Sequence, residues 1–430
     1  MLAEVLARRL ARLGIHYAWA IVALAFATSL ATAGALALPA VMILPLNREF
    51  GWSTQAIASA VALRLLLYGA MAPFAASLID RIGLRRAALG AMLLIAAGFL
   101  ASLGMRETWQ LVALWGVVVG LGAGLTALVM SAVVAARWFS ERRGLALGIL
   151  TAGAASGQLV VLPLAAWIEQ RYGWRIAVAP TLIALAFAAA MVFLFMADRP
   201  SDVGLAPYGD NGAPKPRSAP TVRGALATLG EISSSGAFWV LAASMFVCGL
   251  STNGLIQTHF IALCADYDVG PVGSASTLAA MGLFDLVGAI GSGWLSDRYD
   301  NRALLFVYFG LRGLSLLYLP GSSFSIYGLS LFAAFYGLDW VATLPPTARL
   351  TAEQFGSERA GAAFGWIYAA HMIGAALAAY GAGYSRSVLQ SYLPAFYAVG
   401  ALCLLAACLV WMIGKRPTGV AALVRASAAH

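Results

Sequence analysis

Two charged side chains lie deep inside runs of apolar residues, and these are where chemistry could occur. Arg64 stands in Ala62-Leu63-Arg64-Leu65-Leu66, and Asp285 in Leu283-Phe284-Asp285-Leu286-Val287. An ionisable group inside a lipid-spanning segment is expensive and is expected to serve a function. A guanidinium at such depth needs a water-filled cavity or a partner, and its planar fork suits a carboxylate. Arg64 therefore reads as a ligand for an anion or a counter-ion to an acid. Asp285 reads as a proton-coupling site, because burial opposes its charge while a nearby guanidinium favours it. For both residues the plainer alternative is a structural pair with each other, or for Arg64 a bond to a main-chain carbonyl.

Other polar residues join these two. Tyr68 is a further candidate for binding substrate. Ser251, Thr252, Asn253 and Gln257 form a polar stripe, with Asn253 and Gln257 four apart. Thr28, Ser29 and Thr32 form a second stripe. His371 is a candidate relay, since histidine titrates near neutrality, with a satisfied buried histidine as the equal alternative. His259 reads as an interfacial residue. Arg312 and Asp339 lie at similar depth on adjacent apolar segments and read as a structural ion pair, expensive to break singly.

The elements that position these groups follow from composition. The chain has 430 residues, 61% hydrophobic and 10% charged. Soluble proteins carry roughly a quarter charged residues. A chain this apolar cannot cover itself in water, so lipid is its expected surround. About 20 apolar residues cross the hydrocarbon core as a helix. The runs are continuous rather than alternating, which excludes a β-barrel. Twelve spans are expected near 17–45, 54–79, 86–105, 109–136, 143–167, 175–197, 236–263, 273–296, 303–320, 325–348, 359–384 and 391–414. The predicted fold is all-α, with two six-helix bundles. The stretch 198–234 contains Pro200, Pro207, Pro214, Pro216 and Pro220 and reads as a linker. It divides the chain into bundles 1–197 and 235–430. Pro345-Pro346 is expected to kink span ten.

Charge sets the orientation. The chain has 27 Lys and Arg. If the N-terminus is cytoplasmic, the outer loops hold only Arg48, Arg106, Arg171, Arg175 and Arg386, and most of the others lie inside. That excess places both ends and the linker in the cytoplasm of a bacterial-type inner membrane. The net charge of +9 therefore implies no nucleic-acid partner. Arg8, Arg9 and Arg12 precede a long first span without a small-residue cleavage site, so no cleaved signal peptide is expected. Cys248, Cys264, Cys403 and Cys408 show neither metal nor disulfide spacing. No cofactor and no metal are expected.

There is an internal repeat. Ala76-Ser-Leu-Ile-Asp80-Arg81-Ile-Gly83-Leu-Arg85-Arg86 follows span two, and Gly293-Trp-Leu-Ser-Asp297-Arg298-Tyr-Asp300-Asn-Arg302 follows span eight. Both loops resemble the G-x-L-a-D-R-x-G-R-K-R motif of the major facilitator superfamily. The first departs at Ala76 and Leu84, and the second is shortened after Arg298. The resemblance implies that Asp80, Arg81, Arg85, Asp297 and Arg298 gate the transport cycle, helping to hold the inside-closed state. It also implies a cavity lined by spans one, four, seven and ten. Arg137-Trp138-Phe139-Ser140-Glu141-Arg142-Arg143, running on to Gly144, Gly148, Gly153 and Gly157, is similar to the monocarboxylate and oxalate/formate branch. Those glycines are expected to let helices approach closely.

That resemblance implies movement of a small organic anion, a monocarboxylate, in symport with protons. Animal monocarboxylate transporters carry an Asp and an Arg four residues apart in span eight. Here Asp285 matches, but the Arg position is Ala289, so the cation must come from elsewhere. Proton-coupled efflux of a metabolite or drug on the same fold is the competing reading, although no Gly-Pro antiporter motif lies between Gly148 and Gly157. A transporter-derived sensor would be expected to add a long cytoplasmic domain. Enzyme chemistry is not expected: the glycine-rich runs lie inside spans, where a phosphate-binding loop could not work.

Overall fold

The computed structural model describes residues 2–126, 128–210, 222–356 and 359–414. Among them no strand forms, and twelve helices are long and apolar enough to cross a membrane. The spans run Ala18–Phe50, Thr54–Ala75, Leu84–Ser102, Thr108–Trp138, Arg143–Tyr172, Trp174–Phe195, Gly236–Ala265, Pro271–Ser296, Asn301–Ser322, Ile326–Phe355, Ala360–Val388 and Leu393–Met412. Helical structure in span two continues to Ile82. The expected count and order hold, and the ends shift. Span one reaches Phe50 rather than residue 45, because Pro45 is accommodated inside the helix and Gly51 closes it at φ +67°. Lys215, Arg217, Pro214, Pro216 and Pro220 of the linker, and the basic residues beyond 414, lie outside the described residues.

Two seams join the bundles. Span two packs along span eleven, and span five packs along span eight. The first seam is sealed at the end away from the linker. There Gln55 Nε2 donates to the Tyr380 hydroxyl at 2.6 Å, and the Gln55 amide donates to Ser387 Oγ at 3.1 Å.

The linker is not featureless. Its amide at Tyr208 donates to the Trp138 carbonyl at 2.8 Å, and Ser140 N donates back to Tyr208 O at 2.9 Å. This one-residue β-bridge fastens the linker to the loop between spans four and five. Residues Val222–Ile232 form a helix, tied to the start of span eleven by a 2.8 Å pair between Glu231 and Arg359. The N-terminal helix Leu2–Arg12 packs Ala7 inward and leaves Arg8, Arg9 and Arg12 exposed.

Span ten is broken, as its prolines require. The helix Ile326–Asp339 ends, residues 340–343 form a turn, and a second helix runs Leu344–Phe355. Pro345 and Pro346 have no N–H, so the carbonyls four residues earlier lose their helical donors. Side chains replace part of what is lost. Ser292 Oγ on span eight donates to the Ala342 carbonyl at 2.5 Å.

Candidate functional site

A cavity of about 3050 Å³ opens between the bundles. Its walls reach from Arg64 and Gln257 in the middle of the protein to Asp80, Arg137, Arg199 and Gly361 on the linker side. The sealed end contributes none of its lining. The protein is therefore open toward the linker and closed opposite it.

Six of the residues singled out from sequence meet in the deep part of this cavity. Arg64, Tyr68, Thr32, Asn253, Gln257 and His371 all line it, with Asp285 in the wall from span eight. Spans one, two, seven, eight and eleven thus bring together groups from both halves of the chain.

Arg64 is 6% exposed. One Nη1 donor goes to the Leu36 carbonyl on span one at 2.8 Å. Among the described residues its other N–H groups have no acceptor, and the side chain faces the cavity. Span four backs it closely: a Cβ on Gly120 would lie 3.1 Å from the Arg64 Cα. Arg64 and Asp285 do not form the pair considered from sequence. Asp285 instead accepts the Val341 amide at 2.8 Å, at the break in span ten.

The polar stripe of span seven is a relay of bonds. His371 Nε2 lies 2.9 Å from Asn253 Oδ1, and Asn253 Nδ2 donates to Gln257 Oε1. The His371 ring stacks on Tyr368, centroids 5.3 Å apart and planes at 7°. The Tyr368 hydroxyl lies 3.5 Å from that of Tyr68 on the opposite bundle. A π-helical segment, Leu250–Ile256, widens span seven at this stripe, a feature often found at functional sites. Thr32 contributes less, since its hydroxyl donates to Thr28 O within its own helix at 2.8 Å.

Behind Asp285, Arg312 and Asp339 pair at 2.6 Å, both almost wholly buried. Arg312 Nη1 also meets Cys248 Sγ at 2.7 Å, and Nη2 donates to the Asp339 and Trp340 carbonyls. These are carbonyls next to the break in span ten, so the guanidinium covers a helix end as well as an acid. His259 is not interfacial. It is fully buried, with Nε2 2.7 Å from the Ala379 carbonyl and its ring 5.3 Å from Tyr392.

The repeated loops make matching contacts. Asp80 pairs with Arg137 at the end of span four, and Asp297 pairs with Arg349 near the end of span ten. Each pair lies within one bundle and is formed while the cavity is open on that side. Arg85 donates to the Phe193 carbonyl, and its amide donates to Asp198 at 2.7 Å. Arg298 stacks over Trp294 at 4.1 Å, and Arg81 makes no ion pair among the described residues. Arg137, Arg349, Tyr368 and Cys248 were missed by reading sequence. The internal repeat contained a signal for the two arginines, which follow their aspartates by 57 and 52 residues.

The profile of the Major Facilitator Superfamily matches residues 23–379 and 278–428. The chain belongs to the major facilitator superfamily. Its relatives in this superfamily are transporters, not enzymes. The chain is 26% identical over 359 residues to the MFS-type transporter YcxA of Bacillus subtilis, covering 82% of this chain and 84% of that one. It is 27% identical over 271 residues to monocarboxylate transporter 13 of Rattus norvegicus, covering 62% and 59%. It is 28% identical over 309 residues to monocarboxylate transporter 11 of Mus musculus, covering 70% and 64%. The chain thus spans about three fifths of these two animal relatives. In fold it is similar to the crystal structure of a D-xylose-proton symporter, with TM-score 0.71 and 14% identity over 92% of this chain and 98% of that one. This facilitator is an integral membrane protein that moves a small molecule.

Proposed function

We propose that this facilitator carries a small organic anion, a monocarboxylate, across a bacterial cytoplasmic membrane in symport with protons, with both termini inside. The observation that supports an anion most directly is Arg64. It is a buried guanidinium in the cavity wall whose only acceptor among the described residues is one main-chain carbonyl. A bound carboxylate would satisfy its remaining fork. Tyr68, Thr32, Asn253, Gln257 and His371 would hold the rest of the substrate.

Asp285 is the proton-coupling group in this reading. It is the carboxylate in the deep cavity wall, and water can reach it from the linker side. The monocarboxylate transporters among the relatives support the substrate class, and the symporter likeness is compatible with coupling to protons. Bundles 1–197 and 235–430 would rock about the bound anion, with 198–234 as the strap between them. The Asp80–Arg137 and Asp297–Arg349 pairs would act as clamps inside each bundle that keep its inner helix ends together. Arg81, Arg85 and Arg298 would steady the same loops.

The test is uptake into proteoliposomes with an imposed pH gradient and a panel of labelled lactate, pyruvate, formate, oxalate and benzoate. Uptake of at least one, stimulated by an inward proton gradient, supports the reading. Absence of uptake and of competition by every member would overturn it.

A further inference from the structure

Asp285 and Asp339 both lie at the break in span ten, where Arg312 binds one of them. Arg312 pairs with Asp339 at 2.6 Å and donates to the Trp340 carbonyl at 3.1 Å, and the next residue, Val341, gives its amide to Asp285. Asp285 faces the cavity, while Arg312 and Asp339 are 0% and 3% exposed. Asp339 Oδ1 is buried with no hydrogen-bond partner among the described residues. Two carboxylates against one cation leave one negative charge without a partner, and at Asp339, away from the cavity, such a charge is expensive.

Among the described residues, the groups around the cluster do not supply the missing charge. Cys248 on span seven, Cys403 on span twelve, Tyr336 on span ten and Tyr308 on span nine face the cluster, and none is a cation. His371 on span eleven acts on Cys248, with Nε2 committed to Asn253. Arg64 is bound to Leu36 on the other bundle.

We infer that Asp285 and Asp339 together form a single proton-binding site, sharing one proton against Arg312, so that Asp339 is a proton-coupling residue rather than one half of a structural pair. The inference rests on the proton-symport reading for its role in transport, but the site itself can be measured without substrate. The proton arrives from cavity water at an Asp285 oxygen and returns to that water on release. With the proton bound, one carboxylic acid, one carboxylate and Arg312 sum to zero. With it lost, Arg312 must be divided between two carboxylates.

That division has a mechanical outlet. Asp285 holds the Val341 amide, and Arg312 holds the Asp339 and Trp340 carbonyls, so both ends of the break in span ten answer to the cluster. The helix beyond the break carries Arg349, the partner of Asp297. Gaining or losing one proton therefore bears on the clamp at the linker end of the same span.

The test is pH-difference infrared spectroscopy of the purified full-length protein in lipid, without substrate, reading the carbonyl stretch of protonated carboxylic acids. Wild type should show one buried-acid band that titrates as one proton. Asp285→Asn and Asp339→Asn should each abolish it, since either leaves one acid balanced by Arg312. Asp339→Glu should keep it, which separates loss of the site from loss of packing. Arg312→Gln combined with Asp339→Asn should restore an acid band on Asp285 and persist to higher pH. A band lost in Asp285→Asn but unchanged in Asp339→Asn, or no band in wild type, would overturn the shared site. An intact shared band in a protein that moves no carboxylate would instead overturn the transport reading alone.

Discussion

Asp285 on span eight accepts the Val341 amide of span ten at 2.8 Å, where the prolines interrupt the helix. The carboxylate thus holds the break in span ten, beside the proton-coupling role proposed for it. The two can be separated by substitution. Asparagine keeps an oxygen acceptor for Val341, whereas leucine leaves a half-buried N–H without its acceptor, at up to about 1–3 kcal/mol. Asp285→Asn is expected to unfold near the wild-type temperature and Asp285→Leu several degrees lower, read by thermal unfolding in detergent. Equal melting of the two would mean that the bond contributes nothing.

Arg64 carries the anion in this account. A hydrogen bond to a charged group contributes about 1.5–3 kcal/mol. Arg64→Gln should therefore raise the KM for a carboxylate roughly ten- to a hundredfold, since about 1.4 kcal/mol is tenfold. A neutral competitor should be affected much less. An equal loss for both would assign Arg64 to holding Leu36 and span one.

Gly148 and Gly157 lie in the same helix and should behave oppositely. A Cβ on Gly148 meets nothing within 4 Å, whereas one on Gly157 would overlap the Leu30 carbonyl of span one. Alanine at Gly148 should leave thermal stability unchanged or raise it by up to about 1 kcal/mol through helix propensity. Alanine at Gly157 should lower it. Closing the cavity on the linker side must bring the Gly148 face toward span eight, so Gly148→Leu should melt normally and yet lose transport turnover. Normal turnover in Gly148→Leu would place the closing surface elsewhere.

The two clamps differ in exposure. Asp297 and Arg349 side chains are 68% and 44% exposed, against 26% and 17% for Asp80 and Arg137. Exposed pairs contribute about 0–1 kcal/mol and are screened by salt. A double-mutant cycle should give a larger coupling energy for Asp80–Arg137 than for Asp297–Arg349, and the latter should vanish at high salt.

His16 gives a pH dependence outside the membrane. Burial lowers its pKa from the ordinary 6.5, while a bond to the Ala206 carbonyl opposes this. Its Nδ1 accepts the Ala18 amide at 3.2 Å and its ring packs edge-on against Tyr208 of the linker. The folded state prefers the neutral ring. Its contribution is therefore complete above about pH 6.5 and is lost as pH falls through the lower folded value. Limited proteolysis of the linker should accelerate on acidification below pH 6.5, and His16→Phe should remove that dependence.

Much of this was legible in the chain. Twelve spans, the linker and the repeated loops follow from hydropathy and charge, because lipid admits so few architectures. The buried charges were also visible, since an arginine at position 64 or 312 interrupts an apolar run. Their partners were not. Sequence gives depth along a helix at about 1.5 Å per residue, but not which neighbour a side chain turns toward. Depth alone paired Arg312 with Asp339 because the two spans form one hairpin. It could not show that Arg64 turns to Leu36, that Asp285 turns to a broken helix, or that His259 is buried. The glycines show the same limit. Gly153 and Gly157 lie against span one, whereas Gly144 and Gly148 face open space, and only the packing distinguishes them.

Proton coupling through Asp285 is the claim on which the rest depends. It is tested most directly by comparing wild type and Asp285→Asn in proteoliposomes, using a carboxylate that wild type takes up. Accumulation under an inward proton gradient and counterflow exchange at equal pH are measured side by side. Asp285→Asn is expected to lose gradient-driven accumulation and to keep part of its exchange. Accumulation at the wild-type level in Asp285→Asn would contradict it.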